Sequence, residues 1–194
     1  MSYHIYTTEG IILKRSPYGE ANILLYILTK DLGLIMASAQ AARVSESKLR
    51  SGLQEYSLIT ASFVKGKNQW KVTGVSRKQS FFFDYSQYAR RVLAQIFFVL
   101  LKTITGELPH PEIFETVKSG FEFLKNLSEE EVKSFEILLV LRILYELGYV
   151  AQSENTEGFL GDRTLWNTEL LQKAGEKKET LIAVINRALK ESQL

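Results

Sequence analysis

Five short apolar runs, rich in Ile, Val, Tyr and Thr and cut by turn signals, fill the first eighty residues, and this pattern constrains the fold more than any other feature of the chain. The turns stand at Ser16-Pro17-Tyr18-Gly19, Asp31-Leu32-Gly33 and Lys65-Gly66-Lys67-Asn68, residue types that supply the tight backbone between antiparallel strands. Strands are predicted near 4–15, 21–30, 33–41, 57–65 and 70–79. Between the third and fourth, the stretch 45–54 sets Leu49 and Leu53 four residues apart, one face of a small helix. Three strands, a small helix and two strands is the order of an OB-fold barrel, an order weighed here against small SH3-like barrels, which also have five strands. The second run, Asn22 to Leu28, is apolar at both parities and is expected to be covered on both faces.

From about residue 84 the apolar period becomes helical. Tyr85, Tyr88, Val92, Leu93, Ile96, Phe97, Leu100 and Ile104 form one broad face that ends before Gly106 and Pro109. A second helix is expected from Pro111, well suited to a first helical turn, to Leu124. Ser128 and Glu131 have capping-box spacing at the head of a third, which runs to Leu147 with Gly148 as its left-handed terminator. Its stretch Ile137–Tyr145 is apolar almost all round except at Arg142, which predicts the most buried helix. A loop near 150–163 precedes two last helices, Leu165–Ala174 and Thr180–Leu189. The fold class expected is therefore α+β, with an OB-fold nucleic-acid-binding domain over 1–80 and an all-helical domain over 81–194.

Charge divides the chain at the same place. Residues 1–80 hold eleven Lys and Arg against five acids, a net +6, and the remainder nets −4, so the overall +2 conceals a basic module beside an acidic one. A basic module suggests a polyanionic partner. The best apolar stretch, Val92 to Leu101, stops at Lys102, short of the roughly 20 residues a membrane span requires. The opening MSYHIYTTEG lacks the basic-then-apolar order of a signal peptide, and a cytoplasmic chain without membrane contact is expected. With no Cys and only His4 and His110, neither a disulfide framework nor a thiolate or nitrogen-rich metal site can be built, so no cofactor or metal is expected.

Phosphate-loop, HExxH, GxSxG and GxGxxG motifs are all missing, and neither histidine has a nucleophile beside it, so the chain is read as a non-enzyme. The first-half cations carry more. In an OB barrel the loops joining strands one to two and four to five flank the oligonucleotide groove. Here they hold Lys14, Arg15 and Tyr18, and Lys65, Lys67, Trp70 and Lys71, each loop combining cations for phosphates with a ring on which a base can stack. Arg43, Lys48 and Arg50, interleaved with serines, form a third basic cluster around the small helix. Arg77 and Lys78 either extend this patch or mark a strand edge. The blander alternative is that loop tips are charged because they are wet and that Tyr18 and Trp70 cover barrel ends. Lys102 and Arg142 interrupt apolar helical runs and must reach water or a partner; Glu146 lies four residues beyond Arg142.

The chain resembles the RecO family of bacterial recombination mediators. The resemblance rests on Glu9-Gly10-Ile11-Ile12-Leu13-Lys14, Tyr18-Gly19-Glu20-Ala21-Asn22, Leu28-Thr29-Lys30-Asp31-Leu32-Gly33, Ala39 to Arg43, Ser47 and Leu53-Gln54-Glu55-Tyr56. At lower specificity it continues in Pro109 to Phe114 and Leu144-Tyr145-Glu146-Leu147-Gly148-Tyr149. It implies a DNA-repair protein that binds single- and double-stranded DNA, promotes strand annealing, and works with RecR and the acidic C-terminal tail of single-strand-binding protein to load recombinase on coated strands, associated with the nucleoid. It also implies DNA-facing roles for Lys14, Arg15 and Arg43, and makes Lys102 and Arg142 with its apolar neighbours candidates for a groove taking the acidic tail. Three departures stand out. Gln40 is taken to occupy the glycine position of an Ala-x-Gly-x-Arg stretch, Glu55 replaces a usual proline, and Ser153 to Arg163 occupies the place of a four-cysteine zinc element, which suggests a short form without zinc. The alternative function is an adaptor whose barrel binds single-strand-binding protein or RecR but little DNA.

Overall fold

In the computed structural model, which describes residues 4–44, 47, 49–83 and 85–192, the predicted strands form at nearly the expected places. They are β1 (Ile5–Tyr18), β2 (Asn22–Thr29), β3 (Gly33–Ala39), β4 (Ser57–Lys65) and β5 (Trp70–Ser80). They close in the order β1-β2-β3-β5-β4, with β3 and β5 parallel and every other pair antiparallel. That closed order is the OB-fold; the helical elements that follow make the class α+β. The long first strand closes the barrel by serving two neighbours: Ile5–Ile11 pairs with β4 and Gly10–Tyr18 with β2. A register shift between Ile12 and Lys14 marks a bulge in β1, which lets Ile11, Ile12 and Leu13 all be buried in succession. Ile12, Ile23, Leu25, Ile27, Ile35, Ala37, Phe63 and Trp70 belong to the barrel core.

The register aligns side chains across four strands. Arg15 lies opposite Leu25, Leu25 opposite Ala37, and Ala37 opposite Trp70. Leu25, Ala37 and Trp70 are buried, so this rung faces inward. The adjacent rung of Lys14, Tyr26 and Met36 has the opposite parity and faces outward, with Lys14 exposed and Met36 38% exposed.

The β3–β4 connection differs from expectation. Its described residues make hydrogen-bonded turns rather than a helix: Arg50 N–H donates to Ser47 O, and both Gly52 and Leu53 N–H donate to Leu49 O. The Leu49–Leu53 spacing does close one turn, but Ser51 and Gly52 disfavour propagation. Leu53 is fully buried in the barrel core and Leu49 packs against it. Two non-glycine residues here occupy the left-handed region, Ala41 at φ 52° and Tyr56 at φ 61°. The first corrects the placing of the missing glycine. The position whose backbone favours glycine is Ala41, third in Ala39-x-x-x-Arg43, and not Gln40.

The chain divides into two compact units, one of residues 1–84 with 105–111 and one of 85–104 with 112–194, so the division falls after 84 rather than 80 and a short later segment returns to the barrel. The backbone of Leu108 lies so close to Gly33 (φ 73°) that a Cβ there would meet its carbonyl oxygen at 2.4 Å. The second unit comprises α1 (Gln87–Thr103), α2 (Pro111–Leu124), α3 (Glu129–Glu146), α4 (Thr168–Glu176) and α5 (Lys178–Glu191), with a 3-10 turn at Glu157–Phe159. Ser128 and Glu131 form the full capping box on α3, and its end is a Schellman motif in which Tyr149 N–H donates to Leu144 O at 2.8 Å and Gly148 N–H to Tyr145 O at 2.9 Å. Helix α3 packs against α1, α4 and α5, as its nearly all-round apolar surface requires. Among the described residues, no helix is long and apolar enough to cross a membrane.

Candidate nucleic-acid interface

The β1–β2 turn and the start of the β3–β4 connection converge. Asn22 Oδ1 accepts the Ala41 N–H at 2.9 Å, Ala21 O accepts the Arg43 N–H at 2.9 Å, and Arg43 Nη1 donates to Gly19 O at 3.2 Å. Left-handed Ala41 turns the chain so that Arg43 is held against the turn carrying Tyr18, which is 47% exposed. Lys14 stands on the neighbouring outward rung, its Nζ 5.9 Å from the centroid of the Tyr26 ring. Lys14, Tyr18 and Arg43 thus share one edge of the barrel, two cations and a ring in reach of solvent. Arg50 is exposed nearby in the chain, its carbonyl accepting from Gln54 Nε2 at 3.0 Å. Lys48 lies outside the described residues.

The β4–β5 loop behaves differently. Trp70 is not an open stacking surface: it is 4% exposed, belongs to the barrel core, and meets Phe63 and Tyr6 edge-on at centroid distances of 6.4 and 5.3 Å. Its indole N–H donates to Glu107 Oε1 at 3.0 Å, while Lys65 Nζ donates to Glu107 Oε2 at 2.7 Å and lies 5.2 Å from the Trp70 ring centroid. One carboxylate from the returning segment thus clamps two of the loop's candidate residues. The Lys65 hydrogen bond above all, supported by that of Trp70, holds the Glu107 carboxyl below the usual carboxylate range. Lys65 is itself exposed but its charge is offset by Glu107; Lys67 and Lys71 are exposed as well, and the loop offers no open ring.

Arg15 is only partly exposed. Its backbone N–H donates to Glu55 Oε1 at 2.6 Å, and its guanidinium Nε is buried without a hydrogen-bond partner. The glutamate that replaces the expected proline therefore ties the end of β1 to the segment before β4. Arg15 also lines a cleft of about 670 Å³ with Gln54, Glu55, Tyr56, Arg77, Phe82 and Phe83, a site that loop positions alone do not reveal. Its signal in the sequence is the run Phe81-Phe82-Phe83 just after β5, where alternation can bury one ring and must leave neighbours outside: Phe81 is fully buried, Phe82 38% and Phe83 79% exposed. Lys78, by contrast, is ion-paired with Glu9.

In the helical unit, Arg142 is 1% exposed and cannot line a groove for an acidic peptide. Its Nε donates to Phe159 O at 3.1 Å, and its Nη1 to Arg163 O at 2.9 Å and Leu165 O at 3.0 Å. Its guanidinium stacks 4.3 Å from the centroid of Trp166, whose indole N–H reaches Ser119 Oγ at 3.1 Å. Burial pulls its pKa down to about 10, so it stays charged at neutral pH. Glu146 pairs with Arg163 instead of Arg142. Arg142 and Arg163 between them hold the 159–165 loop, which overlaps the stretch 153–163 where the resemblance places a zinc element. Lys102 does reach water, lying 5.8 Å from the Phe98 ring centroid.

The class defined by this geometry is an OB barrel with solvent-facing cations at its loops, followed by a helical unit. The chain belongs to the family described as Recombination protein O N terminal, whose model matches residues 1–97 and so takes in the whole barrel. Similar proteins include a DNA repair protein RecO of Dehalococcoides mccartyi, 34% identical over 71% of this chain and 55% of the relative. Those of Heliobacterium modesticaldum and Desulfitobacterium hafniense are 28% and 26% identical, over 75% and 85% of this chain and 52% and 61% of the relatives. The chain spans a little over half the length of the curated relatives it matches.

Proposed function

We propose that this chain acts in DNA repair and recombination as a non-catalytic mediator, its barrel holding the phosphates of single- and double-stranded DNA. The observation that carries this reading is the exposure of Lys14 and Tyr18 on β1 with Arg43 bonded to the turn that follows them, in a chain whose family match covers that barrel. Lys67 and Lys71 extend the cationic surface at the β4–β5 loop. Strand annealing follows from such a surface, because backbone contacts neutralise repulsion between strands while leaving base edges available for pairing. Work with RecR and the acidic tail of single-strand-binding protein, and the loading of recombinase on coated strands in the cytoplasm, belong to the same proposal. The tail site must then lie away from Arg142.

The test is fluorescence anisotropy of a labelled oligonucleotide with the intact chain. Affinity is expected to fall steeply with salt, log K against log salt sloping by about −0.7 for each phosphate neutralised on a single strand. Folded protein that fails to bind at low salt contradicts the reading. The Glu107 clamp on Lys65 and Trp70 favours the adaptor as the second reading, since it reduces what the β4–β5 loop offers to DNA. Binding of an acidic peptide without binding of oligonucleotide would decide for it.

A further inference from the structure

The cleft between the end of β1, the segment before β4 and the end of β5 is unlike the basic edge described above. Arg15 and Arg77 stand over it with Tyr56, Phe82 and Phe83, and the rings are arranged as a connected set. Phe82 and Phe83 meet edge-to-face at a centroid distance of 5.6 Å, and Tyr56 and Phe82 lie 5.7 Å apart. Phe83 is 79% exposed, an unusual position for a large apolar ring in a folded protein.

The backbone beneath this shelf is strained and fixed. Tyr56 holds a left-handed φ of 61°, a cost its side chain does not relieve as glycine would. It is locked there by its N–H donating to Ile12 O at 3.1 Å and by its carbonyl accepting the Phe81 N–H at 2.6 Å. The second bond sets the direction in which the chain presents Phe82 and Phe83. Strain of this kind, at the floor of an open cleft lined by charge and rings, is the arrangement found at ligand sites.

We propose that this cleft receives an unstacked base of single-stranded nucleic acid, its face on the exposed Phe83 ring, which Phe82 buttresses edge-to-face, and its flanking phosphates on Arg15 and Arg77. The proposal rests on the DNA-binding reading above and adds a second contact to it. Charge complementarity selects the occupant. Two guanidinium groups, those of Arg15 and Arg77, border the rings, and the cleft's acid, Glu55, has Oε1 engaged by the Arg15 backbone N–H. A duplex cannot use the shelf, because its base faces are already stacked on one another, whereas a single strand can turn one base outward.

The test compares two labelled oligonucleotides of equal length, one of thymidines and one of abasic sites, binding to the intact chain and to its Phe82→Ala/Phe83→Ala variant. The wild-type chain is expected to bind the thymidine strand about tenfold more tightly than the abasic strand. The variant removes one largely exposed and one partly exposed ring, and is expected to lose that preference while keeping its salt dependence. Arg77→Gln is expected to shallow the salt slope by about 0.7 and to preserve the preference. An undiminished preference in the double variant overturns the cleft and leaves the broader reading standing. Binding of neither oligonucleotide to the wild-type chain overturns both. An acidic peptide bound in a Phe82- and Phe83-dependent manner, with the thymidine preference untouched, assigns the cleft to a protein partner and overturns the proposal.

Discussion

Arg142 in the helical unit and Arg15 in the barrel are both arginines near rings, and they have opposite relations to their surroundings. Arg142 spends its donors on three backbone carbonyls and its face on Trp166, out of contact with water. Arg15 keeps a buried Nε without an acceptor, beside an open cleft. A buried cation whose hydrogen bonds are met within the protein is a structural element; one beside an open cleft keeps the rest of its guanidinium within reach of an acceptor from outside. Residue type and neighbouring rings do not separate the two cases. The balance of donors and acceptors does.

The largest effect that sharpens this contrast is expected at Arg142. Arg142→Ala leaves three carbonyls without their donor and opens a cavity, and should destabilise the protein by about 3–5 kcal/mol in urea unfolding. Arg15→Ala should cost far less stability, since its backbone bond to Glu55 survives; an equal loss at both positions would break the comparison. Next in size is Gly33→Ala, which combines left-handed backbone with a Cβ placed against the Leu108 carbonyl, and should cost about 2 kcal/mol or more. Ser128→Ala removes the α3 capping box and should cost about 1 kcal/mol.

Acid separates the Glu107 clamp from the hydrogen bonds of Arg142 in another way. The Glu107 carboxyl is held below its ordinary range, so its clamp is complete above the unfolded-state pKa and is lost as pH falls through the lower folded value. The acceptors around Arg142 are carbonyls and do not titrate. In a Trp166→Phe variant, acidification through that window should change Trp70 emission, while Glu107→Gln should remove the transition. The smallest expected effect is a gain: Ala41→Gly relieves left-handed strain and should raise stability by about 0.5–1 kcal/mol, read as a shift in the urea midpoint.

Much of the architecture was legible because it is written in local periodicity. Turn signals bounded the five strands, Pro111 and Leu124 bounded α2, and Ser128 with Glu131 marked the head of α3. The small helix failed as a prediction because one i, i+4 leucine pair closes a turn and cannot sustain a helix against Ser51 and Gly52. Of the two readings open for Trp70, a stacking ring or a cover for the barrel end, the structure has the buried one, as its alternation with Lys71 and Val72 on the inward parity allows. Glu107 was beyond reach, since nothing local connects it to Lys65, 42 residues earlier. That Arg142 must find partners is legible in its apolar run, but which ones is not: they are backbone carbonyls, which leave no mark on residue identity.

The central claim is that the solvent-facing cations of the barrel carry nucleic-acid binding while the buried arginine of the helical unit carries structure. Its most direct test is the salt slope of single-strand affinity for the intact chain and for Lys14→Gln/Lys67→Gln/Lys71→Gln, three exposed positions with little part in the fold. The slope should become shallower by about 2, at about 0.7 per lost contact, with the urea midpoint unchanged. An unchanged slope in a folded variant would contradict the account.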